Sequence, residues 1–310
     1  MKCSAFWKHA NIRPGNRIYP CCRYKTPVAD FNGNLDDVIH STAYEELRQA
    51  SANGEHIAGC EKCYYEESIG HKSLRQEINE QYDSNSVSLE YLEIGFDNLC
   101  NLTCDGCNSE FSTSWAAKEK LIYGKPLNKK LESLPIKTVP SSVNKILFLG
   151  GEPLMTDKHY DLIKTIKDPV EIVYNTNATF IPNATCTSEM SRHNTRFIIS
   201  IDGVAELNEK VRSGTKWTKV IDFLSWVQEN KFDFEFNTVL HKNNFHGIFD
   251  LHEFIKKYNK KWYVNILTYP DNLDITNLSK QKLQEFLLKL KKYDIPNKQF
   301  IINHITKEHQ

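Results

Sequence analysis

The sequence predicts an α/β protein: a partial (β/α)6 TIM-type barrel preceded by a small N-terminal cysteine-rich domain. Three observations predict it. Six short apolar runs alternate with helical patterns. Polar residues gather where those runs end. Five of the nine cysteines, Cys3, Cys21, Cys22, Cys60 and Cys63, crowd the N-terminal segment. Strands alternating with helices imply a parallel sheet. Six such units fit a partial barrel better than a closed barrel of eight. The expected divisions are 1–85 for the cysteine-rich segment, 86–278 for the barrel, and 279–310 for a closing helix and tail.

The first barrel strand is residues 89–96, whose apolar and polar residues alternate. Residues 112–118 follow as a helical pattern that Ser or Thr hydroxyls can cap. Residues 145–149 form a second strand, running into Gly150, Gly151, Glu152 and Pro153. A helix is expected over 159–167, then a strand over 169–174 ending at Asn175 and Asn177. The fourth strand, 196–200, runs into Asp202 and Gly203. A helix over 217–230 leads to a fifth strand, 232–236, ending at Asn237. A helix over 245–258 and a sixth strand over 262–267 complete the set. Residues 278–293 read as an amphipathic helix with Leu283, Phe286, Leu287 and Leu290 on one face. In barrels of this kind the active site collects at the C-terminal strand ends, where these polar residues lie.

Composition narrows the function. Lys+Arg and Asp+Glu both total 39, which disfavours a general binder of nucleic acid or anionic membrane. The lysines between 280 and 292 read as a solvated helix face. No apolar run is long enough for a transmembrane helix, and segment 1–15 contains no apolar signal core. A cytoplasmic protein with no membrane segment is expected. Disulfides are rare in that compartment, so clustered cysteines point to metal or catalysis.

Cys100, Cys104 and Cys107 lie close together on a loop between the first strand and its helix. Three thiolates can face one point and leave the fourth iron of a cubane cluster open to an exogenous ligand. Zinc is the competing reading. Cys186 stands alone and reads as a small buried apolar residue.

The spacing Cys100-x3-Cys104-x2-Cys107 after one strand, followed by Gly-Gly-Glu-Pro after the next, resembles the radical S-adenosylmethionine (SAM) superfamily. The resemblance covers about residues 89–278. It implies a 4Fe–4S cluster on the three cysteines and SAM on its open iron. Reductive cleavage would give a 5′-deoxyadenosyl radical that takes hydrogen from a substrate. Glu152 then resembles the acceptor for the SAM amino group, with Gly150 and Gly151 admitting the ligand to the backbone. Ser200 and Arg212 resemble the pair that holds ribose and SAM carboxylate. Asn177 and Asp202 sit where ribose hydroxyls are held, and Asn237 is a further candidate. For each of these polar residues a helix cap or turn role is the alternative. One position departs from the family pattern: Gly106 stands where a large apolar or aromatic residue usually approaches the adenine.

Segment 1–85 resembles the auxiliary-cluster domains called SPASM and twitch. The matching features are Cys3, Pro20-Cys21-Cys22, Gly33-Asn34-Leu35, the helix near Tyr44, and Cys60-x2-Cys63. Asn16 holds the place of a turn glycine, and asparagine tolerates left-handed dihedrals. The resemblance implies one auxiliary 4Fe–4S cluster on Cys3, Cys21, Cys60 and Cys63, with Cys22 spare. Four thiolates on zinc remain the alternative. It further implies an external electron donor such as flavodoxin or ferredoxin. The expected substrate is a peptide or protein side chain. A small sugar or aminocyclitol, a nucleoside, and a catalytically silent zinc-stabilised binding module are the other readings.

Overall fold

The computed structural model describes residues 2–125, 131 and 134–307. Its strands are β1 (His9–Arg13), β2 (Arg17–Tyr19), β3 (Ala29–Asp30), β4 (Tyr91–Ile94), β5 (Thr103–Cys104), β6 (Lys145–Phe148), β7 (Glu171–Thr176), β8 (Asn194–Ser200), β9 (Arg212–Ser213), β10 (Asp233–Leu240) and β11 (Trp262–Ile266). The six strands expected from alternation correspond to β4, β6, β7, β8, β10 and β11. The fold is α/β and its sheet is mostly parallel. The chain divides into two units. One comprises 1–99, 130–174 and 182–195, and the other 100–129, 175–181 and 196–310.

In the first unit β7, β6, β4 and β1 are parallel neighbours, and β2 and β3 continue the sheet antiparallel. One face is apolar. Ala10, Ile12, Leu92, Ile94, Ile146, Phe148, Ile172 and Tyr174 lie side by side on it, all fully buried. The opposite face of β1 and β4 is polar. Asn11 and the Tyr91 hydroxyl both donate to the buried Glu93 carboxylate. The alternation that marked β4 in the sequence reports this two-faced environment.

The register His9↔Tyr91 puts β1 directly beside the strand that opens the barrel. Segment 1–85 therefore shares a sheet with β4, and the boundary expected after position 85 lies inside one unit. The turn after β1 forms as its residues require, with Gly15 and Asn16 both left-handed (φ 81° and 59°). Tyr44, on the helix Thr42–Ala52, is fully buried and donates to the His9 and Tyr19 carbonyls at 3.1 and 3.2 Å. A Ser73–Gln76 capping box starts the helix Leu74–Gln81.

In the second unit β8, β10 and β11 run parallel, in the registers Ser200↔Asn237 and Phe236↔Trp262. Alternation again sorts the faces: Phe197, Ile199, Phe234, Phe236 and Val264 are buried together, against Phe223 of the helix Trp217–Glu229. The helix Lys280–Leu290 buries Leu283, Phe286 and Leu290. The helix Lys298–Lys307, absent from the sequence reading, is held by His304, whose Nε2 lies 3.1 Å from both Asp274 oxygens. No helix among the described residues is long and apolar enough to cross a membrane.

Candidate active site and a second cysteine group

The three-cysteine loop is built in the second unit. Asp105 N–H bonds the Val211 carbonyl at 2.8 Å, and β5 pairs with β9 so that Cys104 faces Arg212. Ser112 caps the helix Thr113–Tyr123 and also donates to the Leu102 carbonyl at 2.6 Å. Thr113 and Ser114 donate to the Cys100 carbonyl, and the Trp115 indole donates to that of Cys104 at 3.0 Å. Helix and loop thus fix one another through side chain to backbone bonds. The three thiols are half-buried. Burial, and next the nearby Cys104 thiolate, push the Cys107 thiol up to about 12. Deprotonation there needs a compensating cation, as a metal centre supplies.

The other expected residues divide by what they touch. Asn177 reaches the loop: its amide lies 3.9 Å from Cys100 Sγ and donates to Asn101 at 3.0 Å. Ser200 donates to Asn175 at 3.1 Å, and Asn237 accepts from Asn265 at 2.8 Å. Asp202 pairs with Arg212. Its Oδ2 takes Arg212 Nη1 at 2.8 Å and its Oδ1 takes the Val239 N–H at 2.7 Å. Each carboxylate oxygen thus accepts one protein hydrogen bond, and Asp202 is a buried counter-ion to Arg212. Arg212 keeps something to offer: its Nε is buried with no hydrogen-bond partner among the described residues. The Cys104 thiolate and Asp202 hold its guanidinium firmly charged against the cost of burial.

Gly106 takes a left-handed φ of 75°, and a Cβ built on it would lie 2.7 Å from both Leu267 methyls. Leu267, just past β11, therefore fills the space beside the third cysteine that the sequence leaves empty. The apolar contact comes from another strand end, which no local motif announces. Gly106→Ala is expected to destabilise the chain by roughly 1–2 kcal/mol in chemical denaturation, from backbone strain alone. Leu267→Ala should recover only the steric excess. Equal stability of Gly106→Ala and the parent would show that the loop is slack.

In the first unit the Gly150–Gly151–Glu152 turn is seated on the chain just before Cys100. Glu152 N–H donates to the Leu99 carbonyl at 2.7 Å. A Cβ on Gly151 would fall 2.1 Å from that same oxygen, so the close approach requires glycine. Glu152 is buried, and its carboxylate accepts from the Leu154 N–H at 3.1 Å. Lys158 pairs with Asp97 at 2.6 Å and steadies the same segment.

The second cysteine group also lies in the first unit. Cys3, Cys21, Cys60 and Cys63 line one cavity with Phe6, Tyr24, Arg23 and Arg75. The backbone amides of Ala5, Arg23 and Arg75 favour the thiolate forms of Cys3, Cys21 and Cys63 against the cost of burial. Burial pushes the Cys3 thiol up to about 12, with the neighbouring Cys60 and Cys63 thiolates adding to it. Cys22 is exposed as a residue, yet its thiol donates to the buried Glu93 and does not join the cavity. Such amides suit thiolate ligands, so the donor set fits a metal–sulfur centre. Among the described residues, no three His, Cys, Asp or Glu groups are drawn tightly enough to hold a single metal ion.

A family model described as Radical SAM superfamily matches residues 96–255. Among curated proteins, the GTP 3′,8-cyclase of Sulfurovum sp. (strain NBC37-1) is 30% identical over 103 residues, 32% of this chain and 30% of that protein. The GTP 3′,8-cyclase of Clostridium perfringens (strain SM101 / Type A) is 27% identical over 164 residues, 51% and 49% of the two chains. The chain thus spans half or less of these relatives' own length. The solved structure of native anSMEcpe with bound AdoMet aligns with TM-score 0.48 and 20% identity, over 66% of this chain and 60% of that one.

Proposed function

Because the chain belongs to the radical SAM superfamily, we propose that it uses Cys100, Cys104 and Cys107 to hold the catalytic 4Fe–4S cluster and modifies a peptide or protein side chain. When bound, that cluster and SAM supply a carbon radical able to take hydrogen from an unactivated C–H bond. This chain's own residues do the holding and orienting. The three thiolates ligate three irons, and Asn177 donates toward the Cys100 sulfur. Arg212, whose buried Nε is unpartnered among the described residues, suits the SAM carboxylate as a charge-assisted donor. Glu152 suits the SAM ammonium, while Ser200 and Asn237 stand as polar contacts on their strands. The observation that carries the reading is the three-thiol loop, fixed through its own carbonyls to the next helix.

Cys3, Cys21, Cys60 and Cys63 are proposed to hold an auxiliary 4Fe–4S cluster. The shared cavity supports it, with backbone amides that favour the thiolates of Cys3, Cys21 and Cys63. With every iron ligated, that cluster would carry electrons or shape the substrate site. A soluble one-electron donor of the flavodoxin or ferredoxin kind would serve both clusters. The peptide reading rests on the resemblance of segment 1–85 to SPASM and twitch domains. A second reading, radical cyclisation of a nucleotide, is favoured by the names of the curated relatives.

Deuterium transfer tests the two. The reconstituted protein is incubated anaerobically with SAM, dithionite and either fully deuterated GTP or a deuterated peptide pool. The expected result is 5′-deoxyadenosine carrying deuterium from the peptides. Deuterium arriving from GTP alone would replace the peptide reading with the nucleotide one. Absence of 5′-deoxyadenosine from a chain with full iron would overturn the activity itself.

A further inference from the structure

We infer that Arg23 and Arg75 are positioning charges for the four-cysteine centre, and that they raise its reduction potential. The inference rests on the auxiliary-cluster reading above. Both arginines line the cavity that the four cysteines share. Each pairs with a carboxylate of the same helix, Glu61–Ser68: Arg23 with Glu66, and Arg75 with Glu67. Arg75 also lies over the Tyr64 ring, 4.9 Å from its centroid. The backbone amides of the same two residues favour the thiolates of Cys21 and Cys63.

Four thiolates around an oxidised 4Fe–4S core make a dianionic centre, and reduction adds a further negative charge. In a buried site that addition is costly unless cations stand near. The positive charge of Arg75 favours the thiolates of Cys3, Cys60 and Cys63, and that of Arg23 favours the Cys63 thiolate. Cluster potential follows the charge around the cluster, and Arg23 and Arg75 supply positive charge here.

The test uses the full chain with Cys100, Cys104 and Cys107 changed to Ala, which leaves one cluster. Its potential is read by an anaerobic redox titration followed by electron paramagnetic resonance. At the parent's midpoint, Arg75→Gln and Arg23→Gln are each expected to cut the ratio of reduced to oxidised cluster about tenfold, a fall of about 59 mV. Arg75→Lys keeps the charge and should stay within a few-fold of the parent. Glu67→Gln should move the midpoint the opposite way. Gln variants that keep their iron and titrate with the parent would overturn the inference. If they lose their iron, Glu67→Gln decides, and an unchanged midpoint there is equally fatal. A parent chain that holds no iron at this site would sink the auxiliary-cluster reading itself.

Discussion

A chain carrying Cys104→Ala is expected to make no 5′-deoxyadenosine from SAM, while retaining about half of its reconstituted iron. Two filled 4Fe–4S sites imply about eight irons per chain, and the substitution removes one site. Cys104 also pairs with Arg212 through backbone, so the β5–β9 ladder survives the loss of the thiol. Converting Cys60 and Cys63 together to Ala should remove the other half of the iron and leave SAM cleavage intact, with substrate turnover falling steeply. Iron analysis and mass spectrometry for 5′-deoxyadenosine read both outcomes. Loss of SAM cleavage in the Cys60/Cys63 variant, with normal folding and SAM binding, would show that the two groups do not divide the work in this way.

Arg212→Ala carries the largest expected cost to stability outside the cysteines. It leaves the Asp202 carboxylate buried without its cation, and breaking such a pair costs about 3–5 kcal/mol. SAM binding should fall at least about tenfold, since a charge-assisted bond is worth roughly 1.5–3 kcal/mol. The double variant Arg212→Ala/Asp202→Asn separates the two effects. Asparagine can still accept from the Val239 N–H, and no charge is stranded, so stability should return in part while SAM binding should not. Chemical denaturation and calorimetric titration with SAM distinguish them. If Arg212→Ala unfolds at the parent's denaturant midpoint, the pair is not the buried support described here.

The barrel strands were legible in two ways: β10 and β11 keep a period of two in the sequence, while β6, β7 and β8 stand out as short apolar runs. The helix after the cysteine loop was legible through Ser112, whose capping role is local. The helix Lys280–Leu290 was legible through its apolar stripe. Tertiary partners were not legible. Asp202 reads as a polar strand-end residue, and only the folded chain sets it beside Arg212. Leu267 reads as the last residue of a strand, and its packing on Gly106 joins positions far apart in the sequence. Strand β1 was hidden for a different reason. His9 and Asn11 face the buried Glu93 side, and Ala10 is small, so the run lacks the β-branched richness that marks a strand.

That pairing of β1 with β4 joins positions 82 apart in the chain, and it governs how the molecule is made. Contacts so distant form slowly, because a long loop must close before they reward it. Until β1 docks, β4 presents an open row of backbone donors and acceptors next to fully buried-type side chains, the kind of edge that recruits other chains. A chain starting at position 86 would keep that edge for good. By pairing β1 with β4, the N-terminal segment covers that edge of the barrel's first strand.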